Sequence, residues 1–259
     1  MKKAHPKLIV PLVRALGAGN AAHLLRQVVS GKDQLLEVRT SDFTYRTPRE
    51  LAAVYHVAHS LPKLRNAVAA LNLGTGATVM DVGAHVGLFT LLLKSRYPDA
   101  RVMAVEPDPE LAELCRSNLS GLAGVSVVEA AVGATEQGSV AFYVNRESPQ
   151  TNSLVHEYAT PFGSDIREFR VPLRTLDSLA SDAGWTDHID LIKLDIQGAE
   201  LEALRGGPAS MAAARNMLVE MTFMDHNVSG LLSTMEAEFG RGTPVTEVRM
   251  GADLLYSRS

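Results

Sequence analysis

The chain has 259 residues, a formal net charge of −4, 46% hydrophobic and 21% charged residues, and a single cysteine. That balance excludes wholesale disorder and leaves length for one large α/β domain or a domain with a modest cap. The mild acidity argues against a nucleic-acid partner. One cysteine, Cys115, cannot form an internal disulfide, which favours a reducing, cytoplasmic setting and a core role for that thiol.

At the N-terminus Lys2 and Lys3 precede Leu8-Ile-Val-Pro-Leu-Val13, an apolar run that Pro11, Arg14, His23 and Arg26 interrupt. It is too short for a signal peptide's core with a cleavage site, and no stretch approaches the roughly 20 apolar residues of a membrane span. Residues 1–72 read as a front section with its own texture, a cap, lid or dimerisation segment. It is expected to hold a helix over Leu12–Val29, a turn at Gly31-Lys-Asp33 and a hairpin over Leu35–Thr47. Pro48 at the first position of a helix through Leu51, Val54, Tyr55 and Ala58, capped by Thr47, comes next, then a further helix over Leu64–Leu71.

From residue 73 to 259 strands and helices alternate, the pattern of a parallel sheet. The expected sheet strands start at Thr78, Arg101, Val125, Asp190 and Met217, and the last forty residues hold a helix and two strands. Two extra strands, Gly138–Asn145 and Glu168–Leu173, flank a polar loop. Gly206-Gly-Pro208 reads as a helix stop.

The stretch that organises the rest is Thr78-Val-Met-Asp-Val-Gly-Ala-His-Val-Gly87 with the apolar helix after it. A strand, a glycine turn and a helix N-terminus aim backbone N–H groups at the carboxyl edge of a sheet, where ligands of open α/β folds bind. Dinucleotide binding uses the same device but needs Gly-x-Gly-x-x-Gly after the strand. Here three residues separate Gly83 from Gly87, and Gly74-Thr-Gly76 precedes the strand, so the pyrophosphate reading fails. Asp81-x-Gly83-x-x-x-Gly87, with Glu106 ending the next strand about 20 residues on, suits S-adenosyl-L-methionine. A carboxylate there accepts both hydroxyls of a ribose and repels a 2′-phosphate. Pro107 stiffens the chain beside it. Asp108 either brackets the adenine or caps the coming helix.

Asp81-Val-Gly-Ala-His-Val-Gly87, Ala104-Val-Glu-Pro107, Glu129-Ala-Ala-Val-Gly133, Thr175-Leu-Asp-Ser-Leu179 and Ile192-Lys-Leu-Asp-Ile-Gln-Gly-Ala-Glu200 follow one another in that order. Together they resemble the FkbM family of S-adenosylmethionine-dependent methyltransferases over roughly residues 76–222. The resemblance implies a three-layer, Rossmann-like class I methyltransferase fold, with a mostly parallel seven-stranded sheet and an antiparallel C-terminal strand. It also implies O-methylation of a small-molecule, natural-product or glycan hydroxyl. The cofactor residues it implies are Asp81, Gly83, His85, Gly87, Glu106, Pro107, Asp108, Glu129, Ala130 and Asp195, with Glu200 completing an Asp-x-x-Gly-x-Glu element. His85 stands where the family more often has Asn, and Gln197 where Glu is frequent. Thr151-Asn-Ser153 resembles the family's small polar element near the site, so Asn152 and Ser153 join the cofactor or substrate set.

Methyl transfer from a sulfonium needs an in-line nucleophile, and a base adds about 10²–10⁴-fold for an alcohol. Asp195, at the end of a strand expected beside the first, is the leading base or hydroxyl acceptor; His226 is a second candidate. Glu200 is expected to serve a backbone amide or Lys193. Asp195, Glu220, Asp225, His226 and Asn227 form a conceivable divalent-metal set, not favoured because the Asp-Asn pair of catechol-type enzymes is absent. N-methylation and an idle cofactor-binding module are the alternatives. The front section, with Tyr45, Arg49, Tyr55 and His56, is expected to act as a lid or a homodimer contact.

Overall fold

The computed structural model describes residues 8–31, 33–49, 51–145, 147, 152–160, 165–222, 228–248 and 251–258. The front section opens with α1 (Ile9–Leu16) and α2 (Ala18–Ser30). They are two helices where one was expected, because Gly17 at φ 79° ends the first and starts the second. An antiparallel hairpin, β1 (Leu35–Arg39) and β2 (Thr44–Pro48), follows. Pro48 does not open a helix: it ends β2 opposite Leu35 on a two-stranded sheet, a place where its missing N–H costs little. The next helix, α3 (Leu51–Ala70), replaces the two expected helices and runs on through Pro62. Loss of one ladder bond there is offset by the burial of Val54, Val57, Leu61, Ala67 and Val68.

The remaining elements alternate as the pattern requires: β3 (Thr78–Val82), α4 (Leu88–Arg96), β4 (Arg101–Val105), α5 (Pro109–Leu119), β5 (Val125–Val128), then the short β6 (Ala131–Val132). A long pair, β7 (Gln137–Asn145) and β8 (Ile166–Arg174), encloses the one-turn α6 (His156–Ala159). Next come α7 (Leu176–Asp182), β9 (Leu191–Leu194), α8 (Glu200–Arg205), α9 (Pro208–Ala213), β10 (Asn216–Thr222), α10 (Val228–Phe239), β11 (Thr243–Val248) and β12 (Gly251–Ser257). Gly206-Gly207 does stop a helix, but Pro208 at once starts α9, which the sequence reading missed. Thr175 caps α7 through a reciprocal capping box with Ser178.

The main sheet has seven strands in the order β11-β12-β10-β9-β3-β4-β5. β10, β9, β3, β4 and β5 are parallel; β12 enters antiparallel to β10, and β11 pairs antiparallel with β12. All five residues of β3 are buried, as expected of a strand covered on both faces. On one face Val79, Phe89, Leu92, Leu93 and Leu114 share a continuous core with Leu12, Leu24, Leu36, Tyr45 and Leu61 of the front section. On the other, Met80, Val82, Ile192, Leu194 and Val219 pack with Leu176, Leu179 and Met235. β6, β7 and β8 form a separate three-stranded sheet with its own small core.

Candidate active site

β3, β4 and β9 are neighbours in register, so Val82, Val105 and Leu194 end at one edge of the sheet. The loops after these strands build the site. Gly83 and Ala84 both donate their N–H to the Val105 carbonyl at 3.0 Å, and Asp195 donates to Val82 at 3.1 Å. Gly83 lies at φ 82°, and a Cβ there would meet the Asp195 carbonyl oxygen at 1.9 Å. The first glycine is therefore required twice, for its backbone conformation and for the closeness of two strand ends. Gly87, at φ 84°, ends the turn and leads into α4.

Asp81 is fully buried in β3. One oxygen accepts the Thr90 hydroxyl at 2.7 Å, and the other pairs with Lys193 Nζ at 3.0 Å. Lys193, 5% exposed, also donates to the Gly83 carbonyl at 2.9 Å and lies 3.6 Å from Asp195. Burial works against its charge, but Asp81 and Asp195 outweigh burial and raise its pKa. Asp81 thus organises the glycine turn from below.

Glu106 closes β4's edge with both oxygens in use: Oε2 accepts the His85 N–H at 2.8 Å and Oε1 the Asp108 N–H at 3.0 Å. Burial pushes its carboxyl up to about 8. An apolar cleft opens beside it, lined by Gly83, Pro107, Ala130, Phe142, Leu154 and Ile196 among others. Asp108 acts as the cap of α5, accepting Glu110 and Leu111 N–H groups through Oδ1, while Oδ2 accepts Asn152 Nδ2 at 3.0 Å. Asn152 Oδ1 accepts the Asn145 N–H, and Ser153 donates its hydroxyl to the Gln197 carbonyl at 2.8 Å. These two residues stitch β7 onto the loops after β4 and β9. Glu129 stands at the rim, half-exposed, 3.2 Å from Arg116, next to buried Ala130.

After β9, Glu200 accepts the Ile196 and Gly198 N–H groups at 2.8 and 2.9 Å, the same two-amide grip that Glu106 makes. Gln197, held at φ 53°, donates to Asp195 Oδ1 at 2.9 Å and to Glu220 Oε2 at 2.7 Å. Lys63 of α3 pairs with Glu220 at 2.6 Å and with Asp253 at 3.0 Å. Burial works to raise the Asp195 pKa, but the Lys193 charge and hydrogen bonds from its neighbours outweigh it and hold the group ionised. Burial and the Asp195 charge raise that of Glu220.

Of the five residues weighed as metal ligands, only Asp195 and Glu220 are described: the Gln197 amide takes one oxygen of each, and the Lys193 and Lys63 ammonium groups lie beside the others. His226, with Asp225, Asn227 and Thr151, lies outside the described residues. The front section contributes more than the sequence indicated: Lys63 reaches Glu220, and His56 lies against His85. Neither carries a motif: the sequence reading does not single out Lys63, and it names His56 only among the residues of a lid or dimer contact.

A methyltransferase FkbM domain model matches residues 81–240. The chain belongs to the FkbM methyltransferase family. Methyltransferase sdnD of Sordaria araneosa is 28% identical over 176 residues, covering 58% of this chain and 68% of that protein. The 2-O-methyltransferase NoeI of Sinorhizobium fredii is 26% identical over 185 residues, 66% of this chain and 74% of its own. Among solved structures, magnesium protoporphyrin IX methyltransferase from Synechocystis PCC 6803, with bound SAM, is similar at a TM-score of 0.45 and 11% identity. That match covers 80% of this chain and 82% of the other. The protein is accordingly a methyltransferase, and among its described residues no helix is long and apolar enough to cross a membrane.

Proposed function

We propose that this FkbM methyltransferase uses S-adenosyl-L-methionine to methylate a hydroxyl of a small molecule or glycan. The observation that carries the reading is Glu106. It is an acid buried at the carboxyl edge of β4, tied by hydrogen bonds to the glycine turn on one side and to Asp108 on the other, next to an apolar cleft. Its carboxylate suits a ribose's two hydroxyls, and Pro107, Ala130 and Ile196 suit an adenine face. Around Asp195 three carboxylates (Asp81, Asp195, Asp253) besides Glu220, whose raised pKa favours its neutral form, face two ammonium groups, Lys63 and Lys193, a balance tilted toward negative charge that favours a sulfonium.

When bound, the cofactor would supply a methyl carbon whose bond to sulfur breaks, leaving the electron pair on sulfur, as the acceptor oxygen bonds to it. The protein's part is to hold the hydroxyl in line; its proton, made strongly acidic as the oxygen bonds to carbon, passes to solvent water. Asp195, kept ionised by Lys193 and partly open, is the hydrogen-bond acceptor for that hydroxyl. Such a strongly held carboxylate is a weak base, so its contribution is orientation more than proton abstraction. The front section, residues 1–72, serves in this reading as a cap on the methyltransferase body, a role supported by Tyr45, Thr47, His56, Val57 and Leu64, which line a cavity with Asp195. The name of the similar NoeI, a 2-O-methyltransferase, agrees with a hydroxyl acceptor.

The test is calorimetric titration with S-adenosylmethionine, then product formation with a panel of hydroxyl and amine acceptors. Binding followed by transfer to a hydroxyl is expected. Binding with no transfer to any acceptor would favour an idle module, and transfer only to amines would overturn the O-methyl reading. Asp195→Asn should lower turnover at saturating cofactor about 10²-fold or more, a larger effect than its loss of cofactor affinity.

A further inference from the structure

A second cavity lies on the other side of the glycine turn from the cleft beside Glu106. It holds about 50 Å³ and is bounded by α3 of the front section, the turn itself and Asp195. The two cavities share Gly83, so they meet where the glycine turn crosses Asp195. Most of the second is apolar, walled by Val57, Leu64 and Phe89. Its polar side chains are two imidazoles, the Asp195 carboxylate, Tyr45, Thr47 and Lys193, whose ammonium is already engaged by Asp81, the Gly83 carbonyl and Asp195. His56 and His85 pack edge to face with ring centroids 5.4 Å apart. Ser60 engages Nδ1 of His56, leaving Nε2 as the nitrogen that ring has to offer. His85 Nε2 is buried with no hydrogen-bond partner among the described residues, an arrangement that costs about 1–3 kcal/mol unless something completes it. The turn holds His85 in place: its φ is 53°, and its own N–H is fixed by Glu106.

From this geometry we propose that the cavity under α3 is the acceptor subsite, in which His85 Nε2 and His56 grip the hydroxyl that is methylated or its nearest neighbour, opposite Asp195. The inference rests on the proposed methyl transfer. It divides the work of the glycine turn: the backbone of His85 serves Glu106 on the cofactor side, and its ring serves the acceptor side. The cavity has room for only a few water-sized groups, which admits a hydroxyl with one or two carbons and leaves the rest of the acceptor outside. Burial holds both imidazoles in the neutral form, down to about 4 for His56 and about 3 for His85. Neutral rings suit an uncharged hydroxyl, which both donates and accepts, better than the cofactor's own carboxylate. Because His56 comes from α3, the front section is part of the substrate site.

The experiment uses the full chain saturated with S-adenosylhomocysteine and glycerol as the hydroxyl probe, followed through the imidazole nitrogens by NMR. Glycerol is expected to shift the Nε2 resonances of His85 and His56 saturably. His85→Asn, which keeps a residue tolerant of positive φ, and His56→Leu, which keeps bulk without nitrogen, should each weaken glycerol about tenfold and leave homocysteine-product affinity within about twofold. If glycerol produces no saturable shift in the unaltered protein, the proposal falls whether or not the variants fold. It also falls if the variants lose product affinity instead, because the cofactor's carboxylate would then occupy the cavity. A protein that binds no S-adenosylhomocysteine at all would remove the methyl-transfer reading itself, and this inference with it.

Discussion

Gly83→Ala and Gly87→Ala offer a controlled comparison, because the two glycines share one turn and nearly the same backbone angle, φ 82° and 84°. Any side chain in that region costs about 1–2 kcal/mol. The surroundings then separate them. At Gly87 the new methyl would meet the Leu119 side chain at 3.0 Å, and a leucine can turn aside. At Gly83 it would lie 1.9 Å from the Asp195 carbonyl oxygen and 2.8 Å from its carbon, both backbone. Relief requires the end of β9 to move by roughly 1 Å, and close-packed interiors resist such shifts at about 1–3 kcal/mol. The total is about 2–5 kcal/mol at Gly83 against about 1–2 kcal/mol at Gly87. At about 2–4 °C per kcal/mol, thermal melts should separate the variants by several degrees, with Gly83→Ala lower. Calorimetry should show a further difference: Gly83→Ala displaces Asp195 and should lose cofactor binding about tenfold or more, whereas Gly87→Ala should lose less. Equal melting temperatures and equal affinities would refute the argument that Gly83 is required by the approach of two strand ends.

Glu106 predicts a pH dependence. Burial holds its carboxyl up at about 8 from an ordinary 4.5, so between those values the folded chain keeps a proton that the unfolded chain has released. The stability this group contributes is therefore lost as pH rises through that window, and ribose hydroxyls, which favour the ionised form, reverse the preference. Cofactor affinity should rise from pH 6 to about 8 and then level off, with proton release visible in buffers of different ionisation heat; a flat profile in the parent, or an unchanged one in Glu106→Gln, would count against it. Lys193→Met leaves Asp81 and Asp195 without their shared cation, a loss of about 3–5 kcal/mol that a denaturant titration at neutral pH would read; a change under about 1 kcal/mol would show the pair to be dispensable. Asp81→Asn combined with Lys193→Met should recover part of that loss, since the buried charges are then removed together.

The strand-turn-helix around Asp81, Gly83 and Gly87, and the acid at Glu106, were legible from residue order alone. Period, glycine placement and strand-end acids are local properties, and the parallel sheet then has few ways to assemble. The same locality explains Asp195 at a strand end and Glu200 as a grip on backbone amides. Pro48, read as opening a helix, and the expected break before Leu64, where the helix in fact runs on through Pro62, depart from the structure for the converse reason. A proline's local preference yields to tertiary packing when the hairpin edge or the α3 core outweighs one missing N–H. What only the three-dimensional arrangement decided is the far side of the glycine turn. Lys63 and His56 lie more than 20 residues before Glu106 in sequence and carry no motif, yet α3 brings one to Glu220 and the other to His85. Contacts between elements distant in the chain depend on helix rotation and packing, which no local pattern encodes. The proposed methyl-donor side of this protein is therefore carried by its motifs, and the proposed acceptor side by its fold.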